Sequence, residues 1–455
     1  MNIDPSIFKA YDIRGIYPSQ LDEETAYQVG RAFSQILQIE NPGKQLNIVV
    51  SSDMRVSSPR LKEKVIAGII DSGQNVVDIG MTTTPGFYFG VAYYGYNGGI
   101  QISASHNPRE YNGFKMVRAK AVPVSGDSGI DKIRDLCTKN EFPTGVKKGA
   151  VSTLEGVIAK MVEVERADLD WKSIKPFKIV VDTANGMGAI DLAEMFKDLQ
   201  CQLIKLNFIP DGTFPAHVPD PLIEENLKQL KDEVIKQKAD FGIAPDGDAD
   251  RYFFVDEKGN TLRQEILRGI MAQISLKEHP AAVVAYDIRP GRITLDMILA
   301  VGGKPSVTRV GHSLIKEQMI REGAVFGGES SGHYFYKFPF GTFEAPVSLV
   351  MRFLKFLSDQ NKPLSEVIKP YQKYFHSGEI NSKVTDPLGK IKEIKEKYAE
   401  AKQSELDGIT VEYPDFWFNV RASNTEPLLR LNLEARTNEL MELKRDEILE
   451  LIRKG

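Results

Sequence analysis

Three aspartates, Asp246, Asp248 and Asp250, alternate through "APDGDADR" at residues 244–251, and Arg251 follows at once. In an extended loop this spacing lets three carboxylates converge on one hard cation, and oxygen-only ligation suits Mg²⁺ or Ca²⁺ rather than zinc. An EF-hand would use Glu257, twelfth from Asp246, but its sixth position must be Gly and here is Arg251. The flanks also read as strands. A guanidinium beside a metal site neutralises an anionic substrate and suits phosphate through paired hydrogen bonds. The segment therefore reads as a cation site next to an anion site.

Three further stretches concentrate polar chemistry. "QISASHNPREYNGFK" (101–115) leaves an apolar run and presents Ser105, His106 and an Asn-Pro turn, with Asn112-Gly113 read as a second turn. Alone it is a polar surface loop. "RASNTEP" (421–427) clusters Arg421, Ser423, Asn424 and Thr425 in one turn between strands, where backbone N–H groups could add a phosphate-binding nest. "GESSGHY" (328–334) offers Glu329, Ser331 and His333; a carboxylate beside a hydroxyl suits vicinal sugar hydroxyls, and a buried capping Glu would look the same.

What positions these loops is a pattern that recurs three times. "LNIVVSSD" (46–53), a helical stretch, "NVVDIGM" and "GGIQISAS" form the first copy. "KIVVDTANG" (178–186), "AIDLAEMFKDL", "CQLIKLNF" and "DFGIAPDGDADR" form the second. "AAVVAYDIRP" (281–290), "ITLDMILA", "PSVTRVG" and "GAVFGGESSGHYF" form the third. Strands alternating with helices predict parallel or mixed α/β sheets, whose ligands lie at the carboxyl ends of the strands. Each copy ends there in one of the polar loops. Past residue 370 the pattern becomes a compact α+β domain with a closing helix. The expected domains are 1–150, 151–257, 258–370 and 371–455.

The 455 residues are 42% hydrophobic and 26% charged, ordinary for a globular chain, and a net charge of −4 gives no footprint of a nucleic-acid binder. Cys137 and Cys201 stand far apart and make neither a disulfide framework nor a metal knuckle, which suits a reducing compartment. No signal peptide and no stretch of about 18 apolar residues is read, so the expectation is a cytoplasmic protein that does not engage membrane.

"SASHNPREYNGFK", "DGDADR", "GESSGH" and "RASNTEP" occur in the order found in the α-D-phosphohexomutases, and "KAYDIRG" at 9–15 fits the N-terminal signature of that family. The chain most resembles the bacterial phosphomannomutase/phosphoglucomutases, from about residue 8 to 430. The resemblance implies three topologically similar α/β domains plus a C-terminal α+β domain around a central cleft. It implies reversible conversion of hexose 6-phosphate and hexose 1-phosphate, of mannose or glucose, through a hexose 1,6-bisphosphate that also serves as activator. Ser105 resembles the phosphoserine of the family, with Mg²⁺ bound by Asp246, Asp248, Asp250 and a phosphate oxygen on Ser105. Tyr11, Arg14, His106, Lys115 and Arg251 would surround the transfer point, with Lys115 or His333 moving the proton. Arg289 stands where relatives usually carry lysine. Gly311 and His312 would line the sugar side, Glu329 and Ser331 would hold sugar hydroxyls, and Arg421, Ser423, Asn424 and Thr425 would grip the non-reacting phosphate. A monomer or weak homo-oligomer is expected, with sugar phosphates as partners. Two other readings use the same loops, a metal-dependent sugar-phosphate phosphatase and a non-catalytic sugar-phosphate-binding protein. One segment departs from the pattern: close relatives tend to carry paired aspartates where this chain has "FPFGTFEAP", with Glu344 as the partial substitute.

Overall fold

Short apolar runs rich in Val and Ile become the central strands, because a strand covered on both faces needs near-continuous hydrophobicity rather than alternation. The strand Asn47–Ser52 shows this, since only its first residue is exposed. The computed structural model describes residues 3–289, 291–422 and 428–454. Their contacts divide into one unit of Met1–Leu262 with Ser331–Ser365, and another of Arg263–Ser330 with Glu366–Gly455. No helix among the described residues is long and apolar enough to cross a membrane.

The first unit holds two sheets and a hairpin. Strands β1 (Ile13–Ile16), β2 (Asn47–Ser52), β3 (Asn75–Met81), β4 (Gly98–Ile102), β5 (Tyr111–Arg118) and β6 (Val151–Thr153) lie in the order β1-β5-β4-β2-β3-β6. β2, β3, β4 and β6 are parallel, and β5 runs antiparallel to β4 and β1. Strands β7 (Lys178–Asp182), β8 (Gln202–Leu206), β9 (Phe241–Pro245) and β10 (Tyr252–Asp256) order as β10-β9-β7-β8, with only β10 antiparallel. Strands β14 (Tyr334–Phe338) and β15 (Gly341–Glu344) form a hairpin in this unit. In the second unit β11 (Val283–Asp287) lies parallel to β12 (Lys304–Thr308) on one side and β13 (Phe326–Gly328) on the other. The C-terminal sheet, β16 (Phe375–Lys383), β17 (Lys402–Ser404), β18 (Ile409–Glu412), β19 (Phe416–Ala422) and β20 (Leu428–Ala435), is antiparallel in the order β16-β20-β19-β18-β17. The multidomain α/β architecture matches the expectation.

Two details correct or complete the sequence reading. Asn112-Gly113 is no turn: both residues lie inside β5, paired with β1. A Cβ on Gly113 would sit 2.1 Å from the Ile13 carbonyl, so glycine here permits close backbone approach rather than a reversal. The "FPFGTFEAP" segment is packed by aromatic rings. Phe340 sits edge-on to Phe89 and Tyr93, 5.9 and 5.3 Å between centroids, on the helix Thr84–Tyr93. That helix buries every residue from Thr84 to Ala92, as expected of a helix apolar on all faces.

Candidate active site

Strand β4 is fully buried and delivers its chain directly into the serine loop. Ser105 takes a left-handed conformation, φ +50°, and its N–H donates to Ser103 Oγ at 3.0 Å. Its hydroxyl donates to Asp246 Oδ2 at 2.9 Å and lies 3.2 Å from His106 Nδ1. Burial, then the charges of Arg251 and Arg14, push the His106 imidazole well below its ordinary value, so it is neutral at neutral pH. Arg14 is held by Asp12 at 2.7 Å and donates to the Asn107 side chain. Tyr11, half-buried, lies in the turn that the Phe8–Ile13 bridge closes just before Arg14.

The aspartate loop opens between β9 and its antiparallel partner β10. Asp246, Asp248 and Asp250 are all buried, and one carboxylate oxygen of each lies within 4.8 Å of the others. Gly247 makes the approach to the serine loop possible, because a Cβ there would meet the Ser105 carbonyl at 2.4 Å. Lys115, from β5, donates to Asp248 Oδ2 at 2.6 Å and Asp250 Oδ2 at 2.5 Å. Burial alone would lower the Lys115 pKa, but Asp248 and Asp250 outweigh it and raise it well above the ordinary value. Burial likewise pushes Asp250 upward, yet Lys115, then His333 and Arg251, hold it well below the usual carboxylate range. Asp246 is raised, by burial first and then by its two neighbouring carboxylates.

The donor set fits a hard divalent cation. Asp248 Oδ1 is buried with no hydrogen-bond donor among the described residues, and every oxygen offered is of the kind Mg²⁺ prefers. Thr84, first residue of its helix, fixes the loop from behind. Its N–H donates to the Asp248 carbonyl at 3.0 Å and its hydroxyl to Asp248 Oδ2 at 2.5 Å.

Arg251 and His333 complete this part of the site. His333 Nε2 lies 3.3 Å from both Arg251 Nε and Asp250 Oδ1, and its Nδ1 is 2.9 Å from Ser331 Oγ. Glu344 is buried, and its carboxylate falls in a cluster with Asp250 and His333. The first unit thus gathers Ser105, His106, Lys115, Arg14, Arg251, Ser331, His333 and the three aspartates.

The second unit gathers Arg289, Gly311, His312, Glu329 and Arg421. Glu329 is buried and accepts from the Gly311 N–H at 2.9 Å, one residue before His312 opens the helix His312–Glu322. Arg289 donates to Asp287 and lies 4.0 Å from Glu329. Arg421, buried on β19, pairs with Glu379. Ser423, Asn424 and Thr425 lie outside the described residues.

Sequence reasoning passed over the residues that hold these groups. Asp287 accepts from Arg289, from fully buried Arg268 at 2.6 Å and from Ser330 Oγ at 3.0 Å, so one carboxylate sets a cation and the sugar-type loop together. Arg55 and Asp53 stand at the carboxyl end of β2 in "SSDMRVSS", and both are buried. The rule that pointed to the serine loop, a polar loop at a strand's carboxyl end, also points to this loop, though not to what Arg55 holds.

A serine hydrogen-bonded to a triad of buried aspartates, on repeated α/β domains, is the arrangement expected of the phosphohexomutase class. Four family descriptions match in chain order: phosphoglucomutase/phosphomannomutase α/β/α domain I at residues 5–144, domain II at 158–259, domain III at 265–374, and the C-terminal domain at 379–451. The chain belongs to the phosphoglucomutase/phosphomannomutase family. It is 38% identical to a phosphomannomutase of Vibrio cholerae, covering 98% of each chain. It is 40% identical to a phosphomannomutase of Methanocaldococcus jannaschii, covering 99% of this chain and 98% of that one. The crystal structure of a phosphoglucomutase/phosphomannomutase family protein from Burkholderia thailandensis superimposes with a TM-score of 0.91 at 32% identity, covering 99% and 97% of the two chains.

Proposed function

We propose that this phosphohexomutase works through a phosphate carried on Ser105. The chain interconverts hexose 6-phosphate and hexose 1-phosphate, an isomerisation made of two phosphoryl transfers. The observation that supports Ser105 is its hydroxyl, 2.9 Å from Asp246 within the aspartate triad. In the first transfer the Ser105 Oγ–P bond breaks and a sugar hydroxyl oxygen bonds to phosphorus, giving a hexose 1,6-bisphosphate. In the second, the other phosphate of the reoriented bisphosphate returns to Ser105.

Mg²⁺, held by Asp246, Asp248, Asp250 and a phosphate oxygen on Ser105, would stabilise charge on the transferring phosphoryl. Arg14 and Arg251 add positive charge to offset the roughly −1.5 to −2 of a phosphoserine. His333 receives the proton of the attacking hydroxyl. An imidazole is a ready proton carrier, whereas Lys115 is bound to two aspartates at 2.6 Å or less and works as a fixed cation. His106, neutral, orients the serine oxygen. Glu329 and Ser331 hold sugar hydroxyls beside Gly311 and His312, Arg289 stands near the substrate, and Arg421, Ser423, Asn424 and Thr425 serve the phosphate that is not being transferred. The division at 150, 257 and 370 assigns one of the four loops to each domain.

A coupled assay with glucose 1-phosphate and mannose 1-phosphate, with and without hexose 1,6-bisphosphate, tests the reading, together with peptide mapping of the phosphorylated protein. Ser105→Ala should fold normally, take up no phosphate and lose most turnover. Phosphate found only at another residue sinks the assignment.

A further inference from the structure

Ser105 is held in a backbone shape that L side chains rarely adopt, φ +50°. The groups that hold it converge on one side chain. Arg55 is buried, 1% exposed, and its guanidinium carries five N–H donors, all of which the fold uses. Nε donates to Asp53 at 3.2 Å. One terminal nitrogen donates to the carbonyls of Pro108 at 2.8 Å and Tyr111 at 2.9 Å. The other donates to the carbonyls of Ser105 at 2.8 Å and Asn107 at 2.6 Å. Four carbonyls of the serine loop therefore point at one planar cation. Arg55 meets the Ser105 carbonyl and not Oγ, so it touches no reacting atom.

The cation is itself covered from the second sheet's side of the unit. The Phe214 ring lies 5.0 Å from Arg55 Cζ, and Phe214 also has a left-handed φ, +48°. Gly212 brings its loop onto the Arg55 backbone, where a Cβ would meet Met54 O at 2.5 Å and Arg55 Cα at 2.6 Å.

We propose that Arg55 is a positioning residue that fixes the serine loop for in-line phosphoryl transfer, and that Phe214 fixes Arg55. This rests on the reading of Ser105 as the phosphate carrier. The domain that supplies the metal ligands thereby also sets the aim of the nucleophile. Lysine cannot replace Arg55, because three donors on a tetrahedral nitrogen cannot reach four carbonyls spread over a planar fork.

The test measures kcat, KM and the rate of Ser105 phosphorylation by hexose 1,6-bisphosphate in Arg55→Lys and Phe214→Leu, with thermal melts as the control for folding. A misplacement of about 1 Å costs on the order of a hundredfold, so Arg55→Lys should lower kcat about a hundredfold while KM stays within about threefold. The phosphorylation rate should fall by the same factor. Loss of a cation–π contact predicts a kcat loss of about three- to tenfold for Phe214→Leu, again with KM unchanged. If Arg55→Lys does not fold, Phe214→Leu decides alone. Wild-type kcat in a folded variant, or a raised KM at constant kcat, overturns the proposal. Peptide mapping of wild type separates the two claims: phosphate on a residue other than Ser105 overturns the underlying reading as well.

Discussion

Asp191 has no exposed surface, lies on the helix Gly188–Phe196, and its Oδ1 accepts from Thr83 Oγ1 at 3.1 Å. Burial raises its pKa from 3.8 to about 8, against the lowering effect of the Thr83 hydrogen bond. The folded chain therefore keeps this carboxyl protonated at neutral pH while the unfolded chain ionises it. Because the folded pKa is the raised one, the stability it contributes is full below pH 3.8 and is lost as pH rises towards about 8. Between about pH 5 and pH 7 the difference is close to one proton, which is a slope of about −1.4 kcal/mol per pH unit. Asp191→Asn removes that titration and keeps an oxygen for Thr83. The new amide NH₂ would replace Asp191 Oδ2, which is buried without a donor, so a constant penalty of about 1–3 kcal/mol is expected. A constant penalty does not alter a slope. Urea unfolding at several pH values, read by tryptophan fluorescence and circular dichroism, should show the variant's stability falling less steeply than wild type by about 1.4 kcal/mol per pH unit. Glu165, also raised to about 8, by burial and then by the charge of Asp191, should contribute a second slope that Glu165→Gln removes. Parallel stability curves for wild type and Asp191→Asn would refute the reasoning, since they would mean that Asp191 is ionised in the fold.

Stripping divalent cations with a chelator should abolish mutase turnover and Mg²⁺ should restore it, because three buried carboxylates then crowd one site without a divalent charge to offset them; full activity after stripping would count against a metal in the triad. Arg421→Ala should lower kcat/KM in both directions by roughly ten- to a hundredfold, the worth of a charge-assisted hydrogen bond of about 1.5–3 kcal/mol, and an unchanged value in either direction would count against the phosphate role. Glucose and mannose phosphates should differ by no more than about tenfold in kcat/KM, because a site that holds hydroxyls common to both sugars cannot penalise inversion at C2 strongly; a preference above about a thousandfold would refute dual use.

How far the sequence disclosed all this depends on what kind of signal each part leaves. The repeated strands were legible because parallel strands such as β2, β7 and β11 are buried on both faces and carry near-continuous apolar runs. The exposed strand β6 has no burial pattern to read, and β17 is exposed at both ends, so neither was seen. The reactive groups were legible because they are unusual residues in compact loops: three aspartates at alternate positions, a serine beside a histidine. The groups that hold them were not, because their partners are distant in the chain. Thr84 meets Asp248 and Lys115 meets Asp250 across more than a hundred residues, and a hydrogen bond of that separation leaves no local pattern. Arg55 adds a second obstacle. Its acceptors are main-chain carbonyls, which every residue possesses, so nothing in the sequence of residues 105–111 shows that an arginine is required opposite them. Five donors in one plane can be matched only once the loop is folded, and that match makes Arg55 a consequence of the loop's shape rather than of its composition.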